Sequence, residues 1–270
     1  MPPLRQLLWT GVLLLSACGG GGGNPGTCMA SVQTCASLNG GGSTNNGTAP
    51  TVTGSPTGLY KGTTNTGRTA AAIVLEDGTF WLLYSPVGAP LLIAGAEQGH
   101  ITALNGAFAS GDLVDVSLES LTVASGTVAG TYIPKTSTAA TVTFGNQTIS
   151  LAATYDPTYD TPATLSAVTG SYAGTGVVLG GSEAAHLTVS STGVIEGSGT
   201  SGCSFTGIAI PNPGVNSYSV TVSFGGAPCS NTNSTVSGVA YLDAATQRFY
   251  SAALNPGRTN GFLFVGTKGG

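Results

Sequence analysis

Residues 73–84 read Ile-Val-Leu-Glu-Asp-Gly-Thr-Phe-Trp-Leu-Leu-Tyr, and this stretch decides the fold class. Two runs of large apolar residues, many of them β-branched or aromatic, flank the dipeptide Asp77-Gly78. Asp-Gly between two such runs is typical of a β-hairpin with a two-residue turn. The stretch therefore predicts a pair of antiparallel strands.

Both faces of this hairpin are expected to be apolar. Pairing across a two-residue turn places Leu75 opposite Phe80 on one face. Val74 then lies opposite Trp81 on the other face, because successive side chains of a strand point to opposite sides. A hairpin of this kind needs cover on both faces. We expect a barrel core on one side and, on the other, either the second half of the chain or a partner.

The alternation of apolar and polar residues continues along the chain with a period of two, and no ten-residue helical pattern follows residue 17. The fold class predicted is all-β. Further strands are predicted at 99–104, 113–118, 126–133, 139–144, 147–153, 187–189, 218–224, 239–242, 248–254 and 261–265.

The two halves of the chain resemble each other. Gly58-Leu-Tyr-Lys-Gly-Thr63 returns as Gly170-Ser-Tyr-Ala-Gly-Thr175, which indicates an internal duplication. The units are 58–154 and 170–270, and the connector 155–169 carries prolines and aspartates suited to turns. About eight short strands per unit suit a small closed barrel, which leaves no exposed edge. We predict two tandem antiparallel β-barrels; a single sandwich or one larger barrel is the alternative.

Residues 1–17 have the organisation of an export signal. One positive charge, Arg5, precedes an apolar run at 7–15, and the small residues Ser16 and Ala17 follow. The run of about nine residues is far shorter than the roughly twenty that a membrane-spanning helix needs. A cleaved signal peptide is therefore predicted.

Leu15-Ser16-Ala17-Cys18 resembles the lipobox of bacterial lipoproteins. The resemblance implies cleavage before Cys18, acylation of that cysteine, and, because Gly19 follows it, sorting to the outer membrane. Stable anchoring takes at least two acyl chains. Residues 18–57, rich in Gly, Ser and Asn, are predicted to form a flexible tether. The alternative is an ordinary secretory signal that leaves Cys18 free.

Composition argues against some partners. Only 7% of the residues are charged and the net charge is −4. A weakly acidic, charge-poor surface does not favour nucleic acid or electrostatic docking to anionic lipid.

Four cysteines remain once Cys18 is assigned to lipid, and an even number in an exported chain favours two disulfides. Three connectivities are open, of which the local pairing is the economical one: Cys28 with Cys35, and Cys203 with Cys229. Metal binding is the rival interpretation, but no histidine lies near these cysteines in the sequence and no C-x-x-C occurs.

No catalytic set can be assembled from the sequence. His100 and His186 are the only histidines, and both are expected to face solvent. No G-x-S-x-G elbow is present, and the carboxylates are scattered. A calcium site at Asp156 and Asp160 is a further metal alternative. We therefore predict no enzyme activity, no cofactor and no metal.

The G-x-Y-x-G strands resemble the opening strand of calycin-like barrels. That resemblance implies that Tyr172 closes one end of the second barrel under Arg258. The alternative is that Tyr60 and Tyr172 are ordinary core residues. The layout of lipid anchor, glycine-rich leash and two β-rich lobes is similar to that of two-lobed surface lipoproteins of the transferrin-binding and factor H-binding kind.

These features together predict a lipid-anchored outer-membrane lipoprotein, on the periplasmic face or the cell surface. It is expected to be non-enzymatic and to bind a protein or envelope partner, with no nucleic acid involved. A carrier that holds a small apolar ligand inside a barrel is the alternative, and an envelope hydrolase is the third hypothesis.

Overall fold

A computed structural model describes residues 52–269. The predicted all-β class and the two tandem barrels are confirmed, since this part of the chain consists of two closed, eight-stranded antiparallel barrels. The signal peptide, Cys18, Cys28, Cys35 and nearly all of the predicted tether lie outside the described residues.

The first barrel has the strand order β1-β2-β3-β4-β6-β7-β8-β9 and closes where β9 pairs with β1. The short strand β5 pairs only with β6. The strands are β1 Gly58–Thr64, β2 Thr69–Val74, β3 Thr79–Tyr84, β4 Gly95–His100, β5 Thr102–Leu104, β6 Ala107–Ser117, β7 Thr122–Ile133, β8 Ser137–Phe144 and β9 Gln147–Tyr155.

The second barrel follows the chain order from β10 to β17 and closes where β17 pairs with β10. A one-turn 3-10 helix (Pro157–Asp160) and the one-turn helix α1 (Leu165–Val168) connect the barrels. The strands are β10 Gly170–Val178, β11 Gly181–Val189, β12 Val194–Gly199, β13 Ser204–Pro211, β14 Tyr218–Phe224, β15 Thr235–Asp243, β16 Arg248–Leu254 and β17 Gly261–Lys268.

The repeated G-x-Y-x-G motif opens each barrel, and its second glycine has the same role in both. A Cβ on Gly62 would meet the Ala152 carbonyl oxygen in the closing strand β9. A Cβ on Gly174 would meet the Val265 carbonyl oxygen in β17. Because neither position has room for a side chain, the glycine allows the first and last strands to pair and the barrel to close.

The hairpin register predicted from Asp77-Gly78 is wrong by one residue. Val74 pairs with Phe80, and Ile73 pairs with Trp81. The loop has three residues, because Gly78 adopts φ +86° after a turn closed by its N–H and the Leu75 carbonyl. A left-handed glycine at the end of a three-residue loop is a common hairpin connection. Because the register is shifted by one residue, Phe80 rather than Trp81 lies opposite Val74. Val74 and Phe80 therefore share one face of the hairpin, and Ile73 and Trp81 share the other.

The expectation that this hairpin is covered on both faces is confirmed. Val74 and Phe80 belong to a buried cluster of the first barrel. Ile73 and Trp81 belong to a second buried cluster that joins the two barrels. Its members on the outer face of the second barrel include Val239, Tyr241, Ala252, Leu254 and Leu263. The second barrel, rather than an external partner, therefore covers the outer face of the hairpin.

The strand predicted at 99–104 is also placed differently. The structure has β4 at Gly95–His100 and the three-residue β5 at Thr102–Leu104, separated by a buried Ile101. Residues 95–99 contain two glycines and no β-branched or aromatic residue, so their sequence carries little strand propensity. Pairing with β3 and β6 on either side determines the strand.

Candidate functional site: an apolar loop on the first barrel

The β3–β4 loop, residues 85–94, exposes three large apolar side chains. It reads Ser-Pro-Val-Gly-Ala-Pro-Leu-Leu-Ile-Ala and carries no charge. The side chains of Val87, Leu91 and Leu92 are 62%, 66% and 55% exposed. Single exposed apolar residues are common on protein surfaces, but three within six residues of one loop make that loop a candidate interaction site.

Hydrogen bonds fix the base of the loop to the barrel. Arg68 Nη1 donates to the Ser85 carbonyl oxygen at 2.9 Å. The Ser85 N–H donates to the Thr69 carbonyl at 2.9 Å, and the Ala94 N–H donates to the Tyr84 carbonyl at 2.8 Å. The loop therefore leaves and rejoins the barrel in a defined position.

A second tie links the loop to the other barrel. Arg248 Nη2 donates to the Leu91 carbonyl oxygen at 2.7 Å. The same guanidinium lies over the ring of Tyr250, 5.5 Å from its centroid. Tyr250 in turn stacks on the buried Tyr241, with ring centroids 4.9 Å apart and planes at 7°. The backbone at Leu91 is thus held while its side chain projects into solvent.

A groove of ≈ 260 Å³ runs beside the loop. Pro90 and Leu92 line it on the loop side, and Tyr241, Asp243 and Tyr250 line it on the side of the second barrel. The groove therefore offers polar groups and aromatic rings next to the apolar loop.

Lys61 also lines this groove, where it forms two ion pairs. Its Nζ lies 2.8 Å from Asp156 Oδ2 and 3.0 Å from Asp243 Oδ2. Burial alone would raise the pKa of both carboxyl groups, but the hydrogen bonds from Lys61 and from neighbouring threonines outweigh it and lower the pKa of Asp156 and Asp243. Lys61 offsets one of the two carboxylate charges, so one net negative charge remains.

The interiors of the two barrels differ. A cluster that includes seven aromatic rings lies in the centre of the second barrel: Tyr172, Phe205, Tyr218, Phe224, Phe249, Phe262 and Phe264. A pocket of ≈ 190 Å³ opens beside Phe205, Phe224 and Phe262. The first barrel retains an apolar cavity of ≈ 50 Å³. Glu97, on β4, lines this cavity, and burial together with the nearby Asp115 raises the pKa of its carboxyl group to about 8.

Sequence reasoning missed Glu97 because the predicted strand began at residue 99. The pattern of β4 offers only a weak signal: a single acidic residue between small residues, immediately after the long apolar loop. The exposed loop 85–94 was also missed, although its lack of charge and its two prolines are visible in the sequence.

The predicted disulfide between Cys203 and Cys229 is present, with its Cα atoms 4.5 Å apart. It joins the residue before β13 to the loop after β14, and so it closes the open end of the hairpin formed by these strands. The other predicted site residues, Cys18, Cys28 and Cys35, lie outside the described residues, so lipidation and the second disulfide stay predictions.

The two histidines are exposed, as expected. His186 projects from β11, and His100 Nε2 lies 2.6 Å from the Asp77 carbonyl oxygen. Asp156 and Asp160, the residues of the calcium alternative, bind lysines instead: Asp156 pairs with Lys61, and Asp160 with Lys135 at 2.8 Å.

The pairing of Tyr172 with Arg258, implied by the likeness to calycin-like barrels, is not formed. The Tyr172 hydroxyl donates to the Val168 carbonyl at 2.8 Å, and its ring packs on Phe249. Arg258 lies in the β16–β17 loop, where it donates to the Gln98 carbonyl and pairs with Asp112 of the first barrel. Tyr172 is instead an ordinary buried core residue, which was the alternative to the calycin-like pairing.

Within residues 52–269, no group of three or more His, Cys, Asp or Glu residues is placed to hold a metal ion. The same residues include no helix with the length and hydropathy needed to cross a membrane.

No protein family and no curated protein matches this chain. The solved structures that are similar to this chain include two of transferrin binding protein B. One is transferrin binding protein B, isotype 1, from serogroup B Neisseria meningitidis: 13% identity, 75% of this chain and 50% of that chain covered, TM-score 0.30. The other is a mutant transferrin binding protein B from Haemophilus parasuis Hp5: 10% identity, 76% and 52% covered, TM-score 0.28. The chain spans about half the length of these proteins.

Proposed function

We propose that this protein is a non-enzymatic, lipid-anchored outer-membrane lipoprotein that binds a protein partner through the loop at residues 85–94. The observation that carries the proposal is the exposure of Val87, Leu91 and Leu92 on a loop whose backbone is held at both ends and at its apex.

The anchor half of the proposal is supported by the sequence. Leu15-Ser16-Ala17-Cys18 closes a stretch with the organisation of a signal peptide, and Gly19 follows the cysteine. The segment from 18 to 57 is long enough to let the barrels stand away from the lipid surface. The layout resembles that of two-lobed surface lipoproteins.

The binding half is supported by the physics of the loop. Exposing large apolar side chains to water is unfavourable, and a partner that covers those of the loop gains about 25 cal/mol per Å² of apolar surface buried. Because Arg68 and Arg248 already hold the backbone, little conformational entropy is lost on binding. The loop and its groove carry few charges, so an apolar patch with a polar rim on the partner fits them best.

The alternative function, a carrier of apolar ligands inside a barrel, is disfavoured for ligands of ordinary size. Pockets that enclose drug-sized molecules have volumes of about 300–1,000 Å³. The cavity of the first barrel has ≈ 50 Å³, and the pocket beside the core aromatics of the second barrel has ≈ 190 Å³, so both lie below that range.

Site-specific photo-crosslinking on intact cells tests the binding half. A photoreactive residue replaces Leu91, and a matched control replaces Leu104, which is 73% exposed but lies on β5, outside the loop. A discrete protein adduct from position 91 that is absent from position 104 and is lost in the Leu92→Asp variant supports the proposal. The same adducts from both positions, or adducts to lipid alone, contradict it.

Mass spectrometry of the mature N-terminus tests the anchor half. We expect a triacylated Cys18 and recovery of the protein in the outer-membrane fraction. The Cys18→Ser variant should be recovered outside that fraction, while the fold of the barrels is unchanged. An unmodified Cys18 in the wild-type protein would refute the anchor without bearing on the loop.

A further inference from the structure

The cavity of the first barrel contains a polar group that the fold does not use. Apolar side chains such as Val74, Phe80, Val128 and Leu151 form most of its wall. Glu97 lines the same cavity, is only 6% exposed, and its Oε2 has no hydrogen-bond partner. A buried polar atom without a partner is costly, so such an atom beside a cavity points to a missing partner.

A second unpartnered group lines the cavity. The hydroxyl of Tyr60 is buried and neither donates nor accepts a hydrogen bond. Burial, and to a smaller extent Tyr132, raises the pKa of this phenol to about 12, so it remains a neutral donor at neutral pH. Both unpartnered groups therefore carry a hydrogen that can be donated.

The groups that face Glu97 do not supply a cation. Its cross-strand neighbour Asp115 accepts a hydrogen bond from Tyr84 at 2.8 Å. Arg68, which lies over the Tyr84 ring, pairs with Glu119 at 2.7 Å. No Lys, Arg or His lines the cavity. A carboxyl group in such surroundings stays protonated near neutral pH and acts as a donor, as other acids in apolar sites do.

We propose that the interior of the first barrel is a binding site for a small neutral molecule with an apolar body and one hydrogen-bond acceptor, of the ketone class, whose oxygen accepts from the Glu97 carboxyl group. A charged ligand is excluded because the rest of the wall cannot solvate it. Tyr60 offers a second donor in the same cavity.

The size of the cavity limits the ligand. A cavity of about 150 Å³ in another protein holds benzene, and ≈ 50 Å³ is about a third of that. The part of the ligand that enters is therefore about two non-hydrogen atoms in size, which corresponds to the carbonyl group itself. This site lies inside the barrel and does not involve the loop at 85–94, so either proposal can fail without the other.

A titration of the full-length chain with acetone and with isobutene, followed by methyl NMR of the wall residues, tests the site. The two probes have nearly the same shape, but isobutene lacks the acceptor. We expect acetone to bind at least about tenfold more tightly, since one hydrogen bond to an otherwise unpartnered group has roughly that effect. Equal affinities, or acetone shifts confined to the protein surface, overturn the proposal.

Two variants assign the preference to Glu97. Glu97→Leu removes the donor and should abolish the difference between the probes. Glu97→Gln keeps a donor of similar shape and should retain it. In the wild-type protein the preference should fall about tenfold per pH unit above pH 8, as Glu97 ionises, whereas in Glu97→Gln it should not change with pH. A preference that survives in Glu97→Leu, or a structure with acetone that shows only water at Glu97, overturns the proposal.

Discussion

The two copies of the repeated tyrosine have different surroundings. Tyr172 in the second barrel is 1% exposed and donates to the Val168 carbonyl of α1. Tyr60 in the first barrel is equally buried, but its hydroxyl has no partner. The segment 52–57 that precedes β1 contains no helix to provide the equivalent carbonyl group.

The same contrast extends through the two barrels. Aromatic rings with centroid distances from 5.1 to 6.4 Å fill the second barrel, and its buried Asn231 bonds to Gly261 and Asn260. In the first barrel, Tyr60 and Glu97 are left unpaired around a cavity. The interior of one copy of the duplicated fold is thus an aromatic core with a pocket beside it, while the other copy leaves two buried polar groups unpaired around a cavity. Four predictions test this difference.

The largest effect should be a dependence of stability on pH that originates in the first barrel. The folded state raises the Glu97 pKa from 4.5 to about 8, so between these values the folded protein holds a proton that the unfolded chain has released. The free energy of unfolding should therefore fall as pH rises from 4.5 to 8, by about 4 kcal/mol. Asp115, with its pKa raised to about 6, acts in the same direction.

Urea unfolding of the wild-type protein and Glu97→Leu across this pH range measures the effect. The variant should lose most of the slope and should be the more stable protein at pH 8, since it has no unpaired buried carboxyl group. Identical slopes in the two proteins would mean that Glu97 is solvated, and the contrast between the barrels would disappear.

The second prediction compares core aromatics. Phe249→Ala should destabilise the protein by about 3–5 kcal/mol, because Phe249 is 1% exposed and packs on both Tyr172 and Tyr218. Phe108→Ala in the first barrel should cost only about 1–2 kcal/mol, since Phe108 is partly exposed and already borders a cavity. Chemical denaturation of both variants at one pH provides the measurement. Equal losses would contradict the difference in packing.

The third prediction concerns the disulfide of the second barrel. Cys203 and Cys229 close a loop with a sequence separation of 26. Loop-closure entropy for that length corresponds to about 3.5 kcal/mol. The double substitution of both cysteines by alanine should lower the free energy of unfolding by that amount. Wild-type protein in reductant should show at least the same loss, and any further loss, there or in the reduced alanine variant, would report on Cys28 and Cys35.

The sequence predicted the barrels because their determinants are local. Period-two patterns, the Asp77-Gly78 turn and the glycines of the repeated motif each act over a few residues. The spacing of Cys203 and Cys229 likewise matched a hairpin that could be seen in the sequence. The hairpin register was wrong by one residue because the conformation of Gly78, rather than the dipeptide itself, selects the loop length.

The candidate sites could not be predicted in the same way. Residues 95–99 form a strand only because β3 and β6 pair with them, and this pairing places Glu97 inside the barrel. The position of loop 85–94 depends on Arg68 and on Arg248, a residue more than 150 positions away. Contacts between distant residues determine both sites, and a single sequence contains no local pattern for them.

The smallest effect concerns the ion pairs that link the barrels, and it asks whether the two unfold together. Lys61→Met should lower the free energy of unfolding by about 1 kcal/mol, because Lys61 is partly exposed while Asp156 and Asp243, on either side of it, are mostly buried. The matched control is Lys135→Met, whose pair with Asp160 is exposed and should contribute almost nothing.

Because the pKa of Asp156 and of Asp243 is lowered, the difference between wild type and Lys61→Met should be present at neutral pH and vanish only in strong acid, as both groups are protonated. A Lys61→Met protein that unfolds in two separate transitions would show that this contact couples the barrels. A single transition with the expected small loss would assign the coupling to the apolar cluster around Trp81 and Tyr241.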